Sequence, residues 1–235
     1  MNVIECRNVR KTFQQGEQTI IGLDDVSIDI THGDFVCLSG PSGSGKTTLL
    51  NAIGGLDTPD SGEVTVSGQR IDLMGKGELA TMRLNTVGFV FQAYNLIPVL
   101  SARENVEFVM QVQGVPTGKR RQRALKVLAE VGLQGMESRL PAELSGGQQQ
   151  RVAVARAIAA KPSLILADEP TANLDSASAA QLMDLFAELN SEHQATFVIA
   201  THDARVMGYA KRLIRMRDGL IIADESQQPQ RMDVS

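Results

Sequence analysis

GPSGSGKTT, residues Gly40 to Thr48, matches the pattern G-x-x-x-x-G-K-[ST] through Gly40, Gly45, Lys46 and Thr47. Phe35 to Leu38 (FVCL) precedes it, a short apolar run of the kind buried on both faces of a parallel sheet. Thr48, Leu49, Leu50, Ala52 and Ile53 follow it as a helix. A glycine-rich turn between strand and helix lets several backbone N–H groups converge on one anion, in conformations that residues with a Cβ adopt poorly. The helix N-terminus adds its positive end. Pro41, Ser42, Gly43 and Ser44 complete that loop. In such a loop Lys46 reaches the β- and γ-phosphates of a nucleotide, and the Thr47 hydroxyl takes a coordination position on Mg²⁺. The context dictates an α/β fold with a mainly parallel core sheet.

Upstream, Asn2 to Thr31 and Glu63 to Ser67 alternate as β-structure and predict a small N-terminal antiparallel β-subdomain beside the loop. Phe13, just before a polar turn, either stacks on an adenine face or fills the core. Downstream, the strand TVGFVF (Thr86 to Phe91) ends at Gln92, whose amide oxygen can reach a metal or a water. Ser101 and Glu104 have capping-box spacing for a helix through Gln113. A second helix is expected from Lys119 to Val131, with Leu125, Leu128 and Val131 on its apolar face. Its Arg120, Arg121 and Arg123 suit phosphate or lipid headgroups, or form a solvated face. These helices interrupt the strands of the core, so a helical subdomain is expected at about residues 93–160.

Near the end of that insertion comes LSGGQ (Leu144 to Gln148), in which Ser145 and Gln148 have capping-box spacing and Gly146 and Gly147 expose N–H groups at a helix start. This is a second anion-binding helix start, or an ordinary capped helix. The strand SLILAD (Ser163 to Asp168) then places Asp168 at the carboxyl edge of the sheet, where ligands bind. There Asp168 can hold Mg²⁺ and Glu169 can polarise a water. The strand TFVIA (Thr196 to Ala200) brings His202 to the same edge. Asp218-Gly219 marks a closing hairpin, and beyond Glu225 a polar tail, residues 226–235, is expected to fray.

Composition bounds the class of protein. At 235 residues, 43% hydrophobic and 21% charged, the chain fits one globular α/β domain with an appended subdomain. Its net charge of -4 argues against nucleic acid as the main partner. No stretch approaches the roughly 18 to 20 apolar residues of a membrane span, and the N-terminus lacks a signal peptide's apolar region, so a cytosolic chain is expected. Cys6 and Cys37 are far apart and read as free thiols.

In chain order, GPSGSGKTT, Gln92, LSGGQ, LILADE, Asn173-Leu-Asp175 and His202 resemble the nucleotide-binding subunit of an ABC transporter over nearly the whole length. The resemblance implies a P-loop NTPase fold, one domain over residues 1–225, with ATP and Mg²⁺ as cofactors. It implies a head-to-tail dimer, homomeric or with a similar ATPase subunit, in which each ATP lies between the phosphate loop of one subunit and LSGGQ of the other. Phe13 then stacks on adenine, and Gln92 senses Mg²⁺ and the attacking water. Glu169 is the catalytic base, Asp175 contacts the opposite subunit, and His202 holds the γ-phosphate. GFVFQAYNLIPVLSARENVEF and EPTANLD are similar to the lipoprotein-release and macrolide-export branch, although that branch often has Gly where this chain has Ala172. A polytopic permease is the implied partner, docked around Ala93 to Leu100, where Tyr94, Leu96, Ile97 and Val99 either form an apolar groove or pack internally. The implied location is the cytoplasmic face of the inner membrane. The alternatives are an importer subunit, a transmembrane signalling ATPase without transport, and a soluble relative acting on DNA or ribosomes.

Overall fold

Residues of each core strand alternate between two hydrophobic clusters, so the central sheet is buried on both faces, as its unbroken apolar runs require. Phe35 and Cys37 of β3 (Phe35–Ser39), with Ile165 and Ala167 of β7 (Leu164–Asp168) and Phe197 and Ile199 of β8 (Thr196–Thr201), face one cluster. Val36, Leu38, Leu164, Leu166, Val198 and Ala200 face the other. The computed structural model describes residues 1–230. Among these the core sheet has the order β10-β9-β3-β8-β7-β6, completed by β6 (Val87–Phe91), β9 (Arg212–Arg217) and β10 (Leu220–Ser226). All neighbours pair in parallel except β10, which returns antiparallel to β9. The turn between them has Asp218 at φ 49° and Gly219 at φ 80°, the two left-handed residues that a tight hairpin needs.

The second sheet, in the order β2-β1-β4-β5, is antiparallel and comprises β1 (Asn2–Gln15), β2 (Gln18–Thr31), β4 (Ser61–Val66) and β5 (Gln69–Arg70). Helix α1 (Lys46–Ile53) buries Leu49, Leu50 and Ile53 in the cluster between the two sheets. The opposite cluster is covered by α3 (Ala102–Val112), α4 (Thr117–Glu130), α5 (Gly146–Ala159) and α6 (Ser176–His193). The first three of these lie between β6 and β7 in the chain, as the expected insertion requires.

Two sequence readings need correction, and one helix had no reading at all. Helix α2 (Lys76–Thr86) was not anticipated: only Leu79 and Met82 of its face are buried, and Glu78 caps it through the Gly75 N–H at 2.8 Å. On α4 the buried face is Ala124, Val127 and Leu128, while Leu125 is 39% exposed. The tail does not fray at residue 226. Ser226 pairs with Arg212, the Gln227 amide donates to the carbonyls of Met207 and Ala210, and the Gln230 N–H donates to Gly208 O at 2.7 Å. The rest of that tail lies outside the described residues. Cys6 and Cys37 are free and buried, and burial pushes both thiols up to about 12, which leaves them unreactive.

Candidate active site

Parallel strands deliver their C-terminal ends to one edge, and β3, β6, β7 and β8 each end there in a polar segment. The resulting cleft, of about 620 Å³, is lined by Phe13, the loop from Pro41 to Thr48, Gln92, Glu169 and His202. Two loop glycines are sterically required. A Cβ on Gly40, at φ 153°, would lie 2.2 Å from Met216 O, and one on Gly45, at φ 99°, would lie 2.4 Å from Gly22 O. The buried Lys46 ammonium donates to the carbonyls of Gly40 at 2.7 Å and Pro41 at 2.9 Å, which aligns it along the loop it serves.

At the floor, the Thr47 hydroxyl donates to Asp168 Oδ1 at 3.2 Å. Burial raises the Asp168 carboxyl above the ordinary range. The Thr47 bond and Lys46 oppose this, while Glu169 adds to it. Glu169 adopts φ 45°, a left-handed conformation that costs on the order of 1–3 kcal/mol. Its N–H is held by Ala200 O at 2.9 Å, and the turn aims its carboxylate at the neighbouring strand end. There Oε2 accepts from the Thr201 hydroxyl at 3.1 Å, and Oε1 lies 2.7 Å from His202 Nδ1. The contact with Glu169 uses Nδ1 and leaves Nε2 as the ring nitrogen not engaged by it.

Phe13 is 40% exposed at the outer wall, with Lys11 Nζ 5.5 Å from its ring centroid. Its ring lies over Gly22, where a Cβ would meet Phe13 Cε2 at 2.6 Å. Of the two readings of Phe13, the structure therefore gives the exposed face, not a core position. Gln92 lines the cleft from the end of β6, and its carbonyl accepts from Asn173 Nδ2 at 3.0 Å.

The remaining expected site residues lie elsewhere. Ser145, Gly146, Gly147, Gln148 and Asp175 do not line the cleft. Ser145 caps α5: its Oγ accepts from Gln148 N at 3.3 Å, and its N–H donates to Gln148 Oε1 at 2.9 Å. Asp175 caps α6, accepting from the N–H and hydroxyl of Ser178, bonds that hold its carboxyl below the usual range. Ser145, Gly147, Gln148 and Ser178 border a separate hollow of about 320 Å³. Among the described residues the chain thus carries the glycine-loop cleft and, apart from it, a second glycine-rich helix start. Sequence reasoning gave no role to Thr201, Gln150 or Asn173, whose hydrogen bonds reach Glu169, Pro170 O and Gln92 O; a polar residue at the end of an apolar strand was the signal for Thr201, and Asn173 was named only as part of a motif.

Of the docking residues, Val99 is 79% exposed, whereas Leu96 packs against the helical core. A groove of about 420 Å³ is lined by Leu84, Phe89, Phe91, Asn95 and Val109, and none of Tyr94, Leu96, Ile97 and Val99 lines it. Another cavity, of about 460 Å³, is lined by Arg123, Lys126 and Lys161, and there Arg123 Nε donates to Ala159 O at the C-terminal end of α5 at 3.5 Å. Cations there complement the helix dipoles.

The family profile described as ABC transporter matches residues 23–172, across the glycine loop, LSGGQ and the Asp168-Glu169 pair. The chain belongs to the ABC transporter family. It is an ATP-binding cassette and an ATPase with a P-loop NTPase fold. It is 44% identical to the uncharacterised ABC transporter ATP-binding protein YknY of Bacillus subtilis, over 96% of this chain and 98% of that one. It is 43% identical to the macrolide export ATP-binding/permease protein MacB of Rhodopseudomonas palustris, covering 97% of this chain but 35% of that protein, which is about a third of its length. Among solved structures, the dimeric ATP-binding cassette MJ0796, bound to ADP and Pi in a post-hydrolysis state, superposes with a TM-score of 0.88 at 43% identity, covering 95% of this chain and 98% of that one. The resemblance read from the cassette's motifs is borne out at the level of family and fold.

Proposed function

We propose that two such cassettes close head to tail around two MgATP and that this clamp drives a separate membrane permease. The observation that carries the reading is the separation within one chain of the nucleotide cleft from the Ser145–Gln148 helix start. A two-fold axis brings each helix start to the other chain's cleft and makes two identical composite sites at one isologous interface. The dimeric structure of the relative bound to ADP and Pi supports it.

In each site the phosphates rest on the N–H groups from Gly40 to Thr48, with Lys46 against the β- and γ-phosphates and Phe13 on the adenine. Thr47 Oγ1 and Asp168 Oδ1, 3.2 Å apart, are hard oxygen donors that fit Mg²⁺. Among the described residues no group of three or more His, Cys, Asp or Glu could hold a metal alone. An ion held there would complete its shell from phosphate oxygens and water, and Gln92, which lines the same cleft, would offer a further oxygen donor. The bound ion would neutralise charge developing on the phosphates. Glu169 accepts the proton of the attacking water, held in line by Thr201 and His202, and His202 Nε2 faces the γ-phosphate. Ser145 and the N–H groups near Gly147 grip that phosphate from the partner, with Gly146 and Gln148 shaping the helix start, while Asp175 lies at the interface. Hydrolysis removes the charge they hold, so ATP acts as a reversible clamp.

For the permease, the groove beside Phe89 and Phe91 and the exposed Val99 suit an amphipathic helix of a membrane subunit. Relatives named as export ATP-binding/permease proteins, among them MacB, support such a partner and an export role, and we extend the proposal to mechanotransmission and to lipid, lipoprotein, peptide or drug as the cargo. No described helix is long and apolar enough to cross a membrane. We place the cassette on the cytoplasmic face of the inner membrane, held there by that subunit. The test is Glu169→Gln: ATP binding is retained, hydrolysis falls at least a hundredfold, and light scattering shows an accumulated ATP-bound dimer. Normal turnover in that variant would remove Glu169 from its role.

A further inference from the structure

Gln92 sits between two grips that both come from one helix. Arg156 of α5 donates through Nη2 to Tyr94 O at 2.9 Å and through Nη1 to Asn95 O. Tyr94 and Asn95 are both left-handed, at φ 53° and 51°, a conformation that side-chain-bearing residues keep only when something fixes it. On the other side of Gln92, the Gln150 amide of α5 reaches Phe91 O at 3.5 Å and Pro170 O at 2.6 Å. Pro170 directly follows Glu169. The same helix begins at Ser145 and Gly146, and the Tyr94 hydroxyl lies where a Cβ on Gly146 would approach it to 2.9 Å.

Gln150 is fully buried, and its Oε1 has no hydrogen-bond partner. An apolar residue of the same volume would avoid that unpaired acceptor, so packing alone does not account for an amide here. Its Nε2 does, because it joins two backbone segments that are not adjacent in sequence. α5 is a stiff rod of 14 residues with the LSGGQ helix start at one end and these two grips along its length.

We propose that Gln150 and Arg156 are positioning residues that tie the LSGGQ helix of one composite site to Gln92 and Glu169 of the other. The inference rests on the head-to-tail reading above. Seating Ser145 on the partner's ATP fixes α5. Through Gln150 and Arg156 it fixes the backbone on both sides of Gln92 and just after Glu169 in the chain's own cleft. Each site then becomes competent when its counterpart is engaged.

The test uses the full chain and compares Gln150→Met, Arg156→Met and Arg156→Lys. Four quantities are read: affinity for a fluorescent ATP analogue at dilutions where the chain is monomeric, ATP-driven dimerisation by light scattering, single-turnover hydrolysis, and melting temperature. Gln150→Met and Arg156→Met are expected to keep nucleotide affinity within twofold and still dimerise, yet to hydrolyse bound ATP at least tenfold more slowly. Arg156→Lys, which retains the charge and one donor nitrogen in place of two, is expected to lose less. Unchanged hydrolysis in both Met variants overturns the proposal. So does a loss of affinity, dimerisation and melting temperature in parallel with hydrolysis, which is the signature of a merely structural role. If Gln150→Met does not fold, the two Arg156 variants decide. Failure of the native chain and of Glu169→Gln to dimerise in ATP would instead defeat the composite-site reading.

Discussion

Ser145 separates a helix cap from a ligand contact, because substitutions there move the two in opposite directions. Its Oγ accepts from Gln148 N at 3.3 Å, while the reciprocal bond from its own N–H to Gln148 Oε1, at 2.9 Å, needs no hydroxyl. Ser145→Ala deletes only the longer bond, so its cost belongs at the low end of the range for N-caps, about 0.5–1 kcal/mol. In a domain of this size that is a drop in melting temperature of about 1–4 °C. Ser145→Asp keeps a capping oxygen and adds a negative charge at the positive end of α5, so its stability should match the native chain. In the composite site that carboxylate faces the partner's γ-phosphate. Two like charges about 4 Å apart at an effective dielectric of 20 repel by about 4 kcal/mol, roughly a thousandfold in the equilibrium at each site. The assay is ATP titration of dimer formation by size-exclusion chromatography with light scattering, in the Glu169→Gln background so that hydrolysis does not empty the sites. The expected order is native, then Ala weakened, then Asp with no dimer at millimolar ATP, although Asp is the better cap. If Ser145→Asp dimerises at the ATP concentration that suffices for the native residue, Ser145 is a cap and nothing more.

Other perturbations address single parts of the site. Since burial raises the Asp168 carboxyl, its ionised form costs stability in the folded state above the ordinary carboxylate range. Asp168→Asn should therefore raise the melting temperature of the nucleotide-free chain near pH 7–8, and the gain should vanish as pH falls through the raised value. The same variant should lose Mg²⁺-dependent hydrolysis. Phe13→Ala should weaken ATP roughly two- to tenfold, from a stacking contribution of about 0.5–1.5 kcal/mol, and leave affinity for tripolyphosphate unchanged; equal losses for both ligands would place Phe13 elsewhere. Extraction of membranes in mild detergent with a non-hydrolysed ATP analogue should co-purify a stoichiometric polytopic membrane protein with the tagged chain. Recovery of ribosomes, nucleic acid or soluble proteins alone would overturn the permease reading and leave the ATP chemistry intact.

What was legible in the sequence is what short-range chemistry writes there. An apolar run that ends in one polar residue both makes a buried strand and delivers that residue to the sheet edge, so Lys46, Asp168, Glu169 and His202 could be placed together before any coordinates. Helix α2 was not legible because its burial amounts to Leu79 and Met82, too few to impose a period on eleven residues. The face of α4 was misread because Ala124 carries no hydrophobic signal of its own, whereas Leu125 does, and the chain buries the smaller side chain where α4 meets its neighbours.

The grips of α5 were illegible for a different reason. Gln150 and Arg156 bind backbone carbonyls 59 to 62 residues upstream, at Phe91, Tyr94 and Asn95, and a carbonyl carries no residue-type signature. Polar residues in a helix interior ordinarily read as solvated, and only the burial of Gln150 says otherwise. The left-handed conformation of Glu169 is equally silent, since the sequence places a carboxylate after a strand without saying which way it turns. The residues we assign to the chemistry can thus be named from pattern, while those we propose to decide when it occurs act through the main chain. A search for control in this cassette should therefore begin from buried polar side chains with distant backbone partners rather than from further motifs.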